Sequence, residues 1–157
     1  MACRESRARV GTALVVDDDP PIRSLVKTVL TKHGFDVIEA HDGQHALSLL
    51  KEGEGRQCVD VLIADIVMPG GVDGVTVAET FLRECPFTRV VLMSGYNDVG
   101  SINLESNGRW QFVPKPFLPR SLVQAIQEIG VIPPQPSEAK PGDTDGSAPA
   151  QSVVSVD

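Results

Sequence analysis

The sequence has few of the features that mark nucleic-acid-binding or membrane-binding proteins. Only 14 of its 157 residues are lysine or arginine, against 21 aspartates and glutamates, so the net charge is −7. A nucleic-acid surface needs clustered basic residues to neutralise phosphates, and an anionic membrane surface selects the same residues. We therefore expect no nucleic acid and no membrane among the partners.

Long apolar runs are also absent from the sequence. No run approaches the roughly 18 residues that suggest a membrane-spanning helix. Residues 1–11 include three arginines but no apolar core of the kind found in signal peptides. We expect no secretory signal and a cytoplasmic location.

Cysteine is scarce as well. The three cysteines, Cys3, Cys58 and Cys85, are odd in number and lack the spacing of metal ligands. Cytoplasmic proteins keep their thiols reduced. We expect three reduced, incidental thiols.

The sequence does contain a regular alternation of apolar strands and amphipathic helices. Five short apolar segments have the length of buried strands: 12–16, 35–40, 59–64, 90–93 and 110–113. Between them, apolar residues recur with helical spacing, as at Ile22, Val26 and Val29. The helical pattern is weakest in 98–107, which contains poor helix formers. This alternation predicts an α/β fold with a five-stranded parallel sheet, doubly wound with helices on both faces.

The composition changes near the end of the chain. Beyond Gly130, proline, glycine, serine and alanine dominate and no apolar period is visible. We expect one domain over residues 12–130, an N-terminal extension over 1–11, and a disordered tail or linker over 131–157.

Polar residues stand where the predicted strands end. Asp17 and Asp18 follow the first strand, Asp65 the third, Ser94 the fourth and Lys115 the fifth. The carboxyl ends of parallel strands share one edge of the sheet, where such sheets bind ligands. Clustered carboxylates need a cation, and their oxygens suit Mg²⁺ with room left for phosphate oxygens. The pattern predicts metal-assisted phosphoryl transfer to an aspartate.

Five short motifs then resemble the receiver domain of two-component response regulators. They are LVVDDDP at 14–20, DIVMP at 65–69, DG at 73–74, LMSG at 92–95 and KPF at 115–117. Each is common alone, but their order and spacing are specific. The resemblance covers residues 12–130 and implies a CheY-like, flavodoxin-like fold.

The resemblance implies a role for each residue of the acidic site. Asp65 would accept the phosphoryl group. Asp18, Asp65 and the backbone carbonyl of Val67 would bind Mg²⁺ directly, and Asp17 would bind it mostly through water. Lys115 would pair with a phosphoryl oxygen.

Further roles implied by the resemblance concern switching. Ser94 would hydrogen-bond another phosphoryl oxygen and, with Phe112, change position on phosphorylation. The Lys115-Pro116 bond would be cis. Val67, two residues after Asp65, is apolar and would alter the dephosphorylation rate in a direction that the sequence does not predict.

The implied function is a non-enzymatic phosphoacceptor that catalyses only its own phosphorylation and dephosphorylation. A sensor histidine kinase or a histidine phosphotransfer protein would donate the group, and an unknown downstream protein would receive the signal by protein–protein contact. The loop over 68–74 is one residue longer than its commonest form, as in receivers of hybrid kinases. The chain could therefore also be a receiver fragment of a hybrid histidine kinase.

Two competing interpretations place the chain in different functional classes. A receiver could dock a partner without being phosphorylated, although the complete acidic site argues against it. An aspartyl-phosphate phosphatase could use the acids at 17–19 as its motif, but Asp65 would then have no role and the chain has no cap domain.

Overall fold

A parallel sheet carries the candidate site residues at one edge. The computed structural model describes residues 10–51, 58–95, 102 and 108–131. The strands are β1 (Gly11–Val16), β2 (Phe35–Ala40), β3 (Val61–Asp65), β4 (Arg89–Ser94) and β5 (Trp110–Pro114). The described helices are α1 (Pro20–Lys32), α2 (Gly43–Lys51), α3 (Gly74–Glu84) and α4 (Pro119–Glu128).

The sheet has the strand order β2-β1-β3-β4-β5, and all of its pairings are parallel. The doubly wound, five-stranded parallel sheet predicted from the sequence is therefore confirmed. Strands β1 and β3 are neighbours within the sheet, so Asp17 and Asp65, which lie at their carboxyl ends, are adjacent.

Alternate side chains of the central strands supply two apolar layers. Ala13 and Val15 of β1 pack with the apolar faces of α1 and α4. Leu14 and Val16 face the other way and pack with α2 and α3. Strand β3 is buried at every position because helices cover both faces of the sheet.

The ends of α1 follow local sequence signals, with one difference. Pro20 opens the helix, as its fixed φ favours. Gly34 follows the C-cap with a φ of 92°, a conformation that glycine adopts without strain. Asp19 occupies the N-cap, but its side chain makes no capping hydrogen bond. Its backbone N–H instead donates to Asp17 Oδ1 at 2.9 Å.

The expectation of three reduced thiols is wrong. Cys58 and Cys85 form a disulfide, and Cys3 lies outside the described residues. Cys58 stands just before β3 and Cys85 just after α3, so the fold brings them together at the sheet edge opposite Asp65. Because the two cysteines are 27 residues apart, no local sequence pattern predicts that their side chains meet.

Several expectations concern residues that the structure does not describe. The weak helix predicted over 98–107 falls there except for Ile102, as do residues 1–9 of the N-terminal extension and the tail from residue 132. Among the described helices, none is both long and apolar enough to cross a membrane.

Candidate functional site

The loop between β1 and α1 carries the first acidic residues. Asp17 is completely buried, and its backbone N–H donates to the carbonyl oxygen of Ala40 at the end of β2 at 3.2 Å. Asp18 is exposed at the mouth of the site. Because Pro20 begins α1 only three residues after Asp17, the chain turns sharply here and directs both carboxylates to the sheet edge.

The end of β3 positions Asp65. Asp65 is buried but retains 8% of its accessible surface. Its Oδ1 accepts a hydrogen bond from the backbone N–H of Val67 at 3.2 Å. The N–H of Gly74 donates to the carbonyl oxygen of Ile66 at 2.9 Å, so α3 begins against the same loop. A Cβ atom at position 74 would lie 2.1 Å from the Asp65 carbonyl oxygen, so only glycine fits this approach.

Lys115 joins the two buried acids. Its Nζ lies 2.8 Å from Asp17 Oδ2 and 3.1 Å from Asp65 Oδ2. Its backbone N–H donates to the carbonyl oxygen of Ser94 at 2.8 Å, and the Lys115-Pro116 peptide bond is cis. One ammonium group thus bridges the ends of β1 and β3 from the end of β5.

The charges in this cluster oppose one another. Burial raises the pKa of Asp65, and the nearby Asp17 carboxylate adds to the rise, while the hydrogen bond from Lys115 acts in the opposite direction. For Lys115, burial disfavours the charge, but the hydrogen bonds and charges of Asp17 and Asp65 prevail and raise its pKa. The lysine therefore stays charged, and one ammonium group is shared by two carboxylates.

The donor set fits a small, hard divalent cation. One carboxylate oxygen from each of Asp17, Asp18 and Asp65 lies within 4.8 Å of the others. Mg²⁺ binds through one or two carboxylates, keeps several waters and accepts phosphate oxygens. An exposed Asp18 beside two buried acids leaves the open side that such a hydrated ion needs.

The other predicted residues occupy different parts of the edge. Ser94 is buried and lies one residue beyond Met93, which pairs with Asp65 in the sheet. Phe112 pairs with Leu92, so it lies lower in the sheet, packed in the apolar layer that α2 and α3 cover. The side chain of Val67 is exposed beside Asp65. The structure thus brings Asp17, Asp18, Asp65 and Lys115 together and leaves Phe112 outside the charged cluster.

Sequence reasoning missed one contact of this site. The Nη1 atom of Arg23 donates to the carbonyl oxygen of Asp17 at 2.7 Å. An isolated arginine in the first turns of a helix matches no motif. The contact between Arg23 and Asp17 forms only when α1 packs on the sheet, so their spacing in the sequence does not predict it.

A family model described as the response regulator receiver domain matches residues 13–127. The sensor kinase CckA of Brucella abortus is 32% identical over 120 residues, which are 76% of this chain and 12% of that protein. The transcriptional regulatory protein CpxR of Klebsiella pneumoniae is 37% identical over 119 residues, or 74% of this chain and 47% of CpxR. The chain therefore matches less than half the length of these relatives.

Solved structures of response regulators and receiver domains have the same fold as this chain. A response regulator receiver protein from Sinorhizobium medicae matches with a TM-score of 0.66 and 26% identity, covering 75% of this chain and 92% of that one. The receiver domain of the hybrid histidine kinase CckA gives 0.60 and 30%, with coverages of 76% and 98%. The response regulator TrrA of Thermotoga maritima, in complex with Mg²⁺ and BeF, gives 0.61 and 30%, with coverages of 75% and 97%.

Proposed function

Because this chain belongs to the family of response regulator receiver domains, which are signalling phosphoacceptor domains of two-component systems, we propose that Asp65 accepts the phosphoryl group. The observation that carries the proposal is the pair of contacts from Lys115 to Asp17 and Asp65. These contacts support the proposal, because they hold the Asp65 carboxylate, the proposed nucleophile, beside a cation that could bind a phosphoryl oxygen. The receiver would occupy residues 12–130, flanked by residues 1–11 and 131–157.

The proposed donor is a phosphohistidine of a sensor histidine kinase or of a histidine phosphotransfer protein, the partners with which receiver domains interact. A carboxylate oxygen of Asp65 attacks phosphorus, and the bond from phosphorus to the imidazole nitrogen breaks. The electron pair goes to that nitrogen, which then takes a proton from solvent. Lys115 pairs with one phosphoryl oxygen and neutralises part of its charge, and the Ser94 hydroxyl stabilises another by donating a hydrogen bond.

We propose that Mg²⁺ is held by Asp18, Asp65 and the backbone carbonyl of Val67, with Asp17 acting mostly through water. The ion would neutralise charge on the phosphoryl oxygens. The close approach of the three carboxylates supports this assignment. The Mg²⁺ and BeF complex of the Thermotoga maritima relative supports it by similarity.

Output would proceed by protein–protein contact with a downstream protein that the sequence does not name. Phosphorylation would shift a two-state equilibrium at Ser94 and Phe112, which lie on the same face of the sheet, on β4 and β5. Phe112 is half-buried, so a change in its packing would alter the surface that a partner could contact. We propose a cytoplasmic, non-enzymatic signalling role.

The test of phosphorylation uses Mg²⁺ and acetyl phosphate, with the product separated on a phosphate-affinity gel. We expect a shifted band that disappears in Asp65→Asn and when EDTA replaces Mg²⁺. Asp73→Asn is the matched control, because it removes one exposed carboxylate of the same edge and preserves a helix cap. A shifted band in Asp65→Asn would contradict the assignment of the acceptor. A folded wild type with no band would favour a docking module.

The similarity to CckA favours a second candidate, a receiver within a longer hybrid kinase. In that case the phosphohistidine would be presented by the same polypeptide. Phosphotransfer from a separately purified kinase domain, compared with transfer from a phosphotransfer protein, would distinguish the two donors by rate.

A further inference from the structure

Arg23 links three elements next to the acidic site. Its Nη1 donates to the carbonyl oxygen of Asp17 at 2.7 Å, and its Nε donates to Glu39 Oε1 on β2 at 3.3 Å. Its own backbone N–H donates to the carbonyl oxygen of Asp19 at 3.0 Å. The side chain is 20% exposed, so it lies mostly within the structure.

These contacts restrain the loop that presents two of the candidate cation ligands. The N–H of Asp17 is bound by Ala40, its carbonyl oxygen by Arg23, and its Oδ1 by the N–H of Asp19. Asp18, whose side chain is exposed, lies between residues held in this way. The position of the Asp18 carboxylate therefore depends on a loop backbone that Arg23, on α1, holds by its hydrogen bond to Asp17.

Glu39 holds the guanidinium in place. It pairs with Lys27 at 3.0 Å as well as with Arg23. The hydrogen bond from Lys27 lowers the pKa of Glu39, and the hydrogen bond from Arg23 lowers it further, against the opposing effect of burial. Glu39 is therefore ionised at neutral pH. Lys27 shares this acid but makes no contact with the loop among the hydrogen bonds of the described residues.

We propose that Arg23 is a positioning residue for the divalent cation, which it serves by fixing the backbone of the loop that carries Asp17 and Asp18. The inference rests on the cation site of the proposed function. Charge and positioning predict opposite effects on Mg²⁺ affinity when Arg23 is replaced. If only charge mattered, removing this nearby positive charge should tighten the binding of a dication. If Arg23 positions the loop, its removal should weaken Mg²⁺ binding, as happens when other residues that orient metal ligands are replaced.

The experiment is a Mg²⁺ titration of ¹⁵N-labelled protein followed by amide chemical shifts, which report the folded state in the same spectra. We expect Arg23→Gln to weaken Mg²⁺ binding about tenfold. Arg23→Lys keeps the charge but cannot span both acceptors as the guanidinium does, so it should also weaken binding. The loss should be smaller than in Arg23→Gln, because an ammonium can keep one of the two contacts.

Lys27→Gln is the matched control, since it removes the other cation paired with Glu39. It should change Mg²⁺ affinity less than twofold. Unchanged or tighter Mg²⁺ binding in a folded Arg23→Gln protein would overturn the positioning role and leave the proposed function intact. A wild type whose spectrum does not respond to Mg²⁺ would instead overturn the cation site and this inference with it. If Arg23→Gln does not fold, Arg23→Lys decides by the same criterion, because it keeps the positive charge and changes only the contacts.

Discussion

The ammonium nitrogen of Lys115 lies 3.1 Å from Asp65 Oδ2, across 50 residues of sequence. The same nitrogen lies 2.8 Å from Asp17 Oδ2. A single positive charge therefore stabilises two buried carboxylates.

Removing the bridging charge should destabilise the protein in the absence of Mg²⁺. In Lys115→Gln, Asp17 and Asp65 would face each other without a cation, so we expect the free energy of unfolding at pH 7 to fall by about 3 kcal/mol. Saturating Mg²⁺ should restore more stability to the variant than it adds to the wild type. Urea unfolding in EDTA and in Mg²⁺ measures both values. Lys27→Gln, which breaks an exposed ion pair, should cost less than about 1 kcal/mol.

Asp65→Asn should stabilise the protein in EDTA at pH 7, by on the order of 1 kcal/mol. The folded state raises the pKa of Asp65 above its ordinary value of 3.8, so the folded protein holds this proton more tightly than the unfolded chain. The contribution of Asp65 to stability consequently falls as pH rises from about 3.8 through the raised pKa. Urea unfolding from pH 4 to pH 7 tests the sign. A stability difference between Asp65→Asn and wild type that does not grow with pH would count against it.

Gly74→Ala should displace the loop that follows Asp65. The added Cβ would meet the Asp65 carbonyl oxygen at 2.1 Å, and backbone must move to relieve the overlap. We expect a loss of about 2 kcal/mol in the free energy of unfolding, together with slower phosphorylation by acetyl phosphate. Gly95→Ala is the control for stability, because a Cβ there meets no atom of the described residues within 4 Å. Equal stabilities of the two variants would refute the steric argument.

The disulfide between Cys58 and Cys85 should contribute to stability through the chain it closes. The two cysteines are 27 positions apart in the sequence, and a loop of this length predicts about 3.5 kcal/mol. Comparing urea unfolding of the oxidised and reduced forms of the same chain measures this contribution without any substitution. Alkylation of the denatured, unreduced protein should label one thiol of three. Labelling of all three after purification without reductant would disprove the pairing.

The order of strands and helices could be predicted from the sequence because burial imposes a local pattern. Strand β3 is apolar on both faces, and α1 repeats apolar residues such as Val26 and Val29 with helical spacing. The acids of the site could be identified for a related reason. Asp17 and Asp65 each end an apolar strand, and parallel strands bring such ends to one edge.

Contacts between distant segments could not be predicted in this way. Cys58 and Cys85 were predicted to be reduced thiols, because their spacing in the sequence does not indicate that the start of β3 and the end of α3 lie together. The role of Arg23 was missed because its partners, Asp17 and Glu39, are contributed by a loop and by a neighbouring strand. Asp19 occupies the N-cap of α1, where an aspartate side chain usually accepts a hydrogen bond from the helix. Here its side chain makes no such bond, and its backbone N–H donates to the Asp17 carboxylate, which only the folded loop shows.

The sequence by itself determined the fold class, the family and the residue types at the sheet edge, since periodicity and short motifs are local properties of the chain. Only the tertiary structure decided that Lys115 bridges Asp17 and Asp65, that Gly74 must lack a side chain, and that two of the cysteines are joined. These features depend on distances between atoms that the chain brings together only when both faces of the sheet are covered by helices.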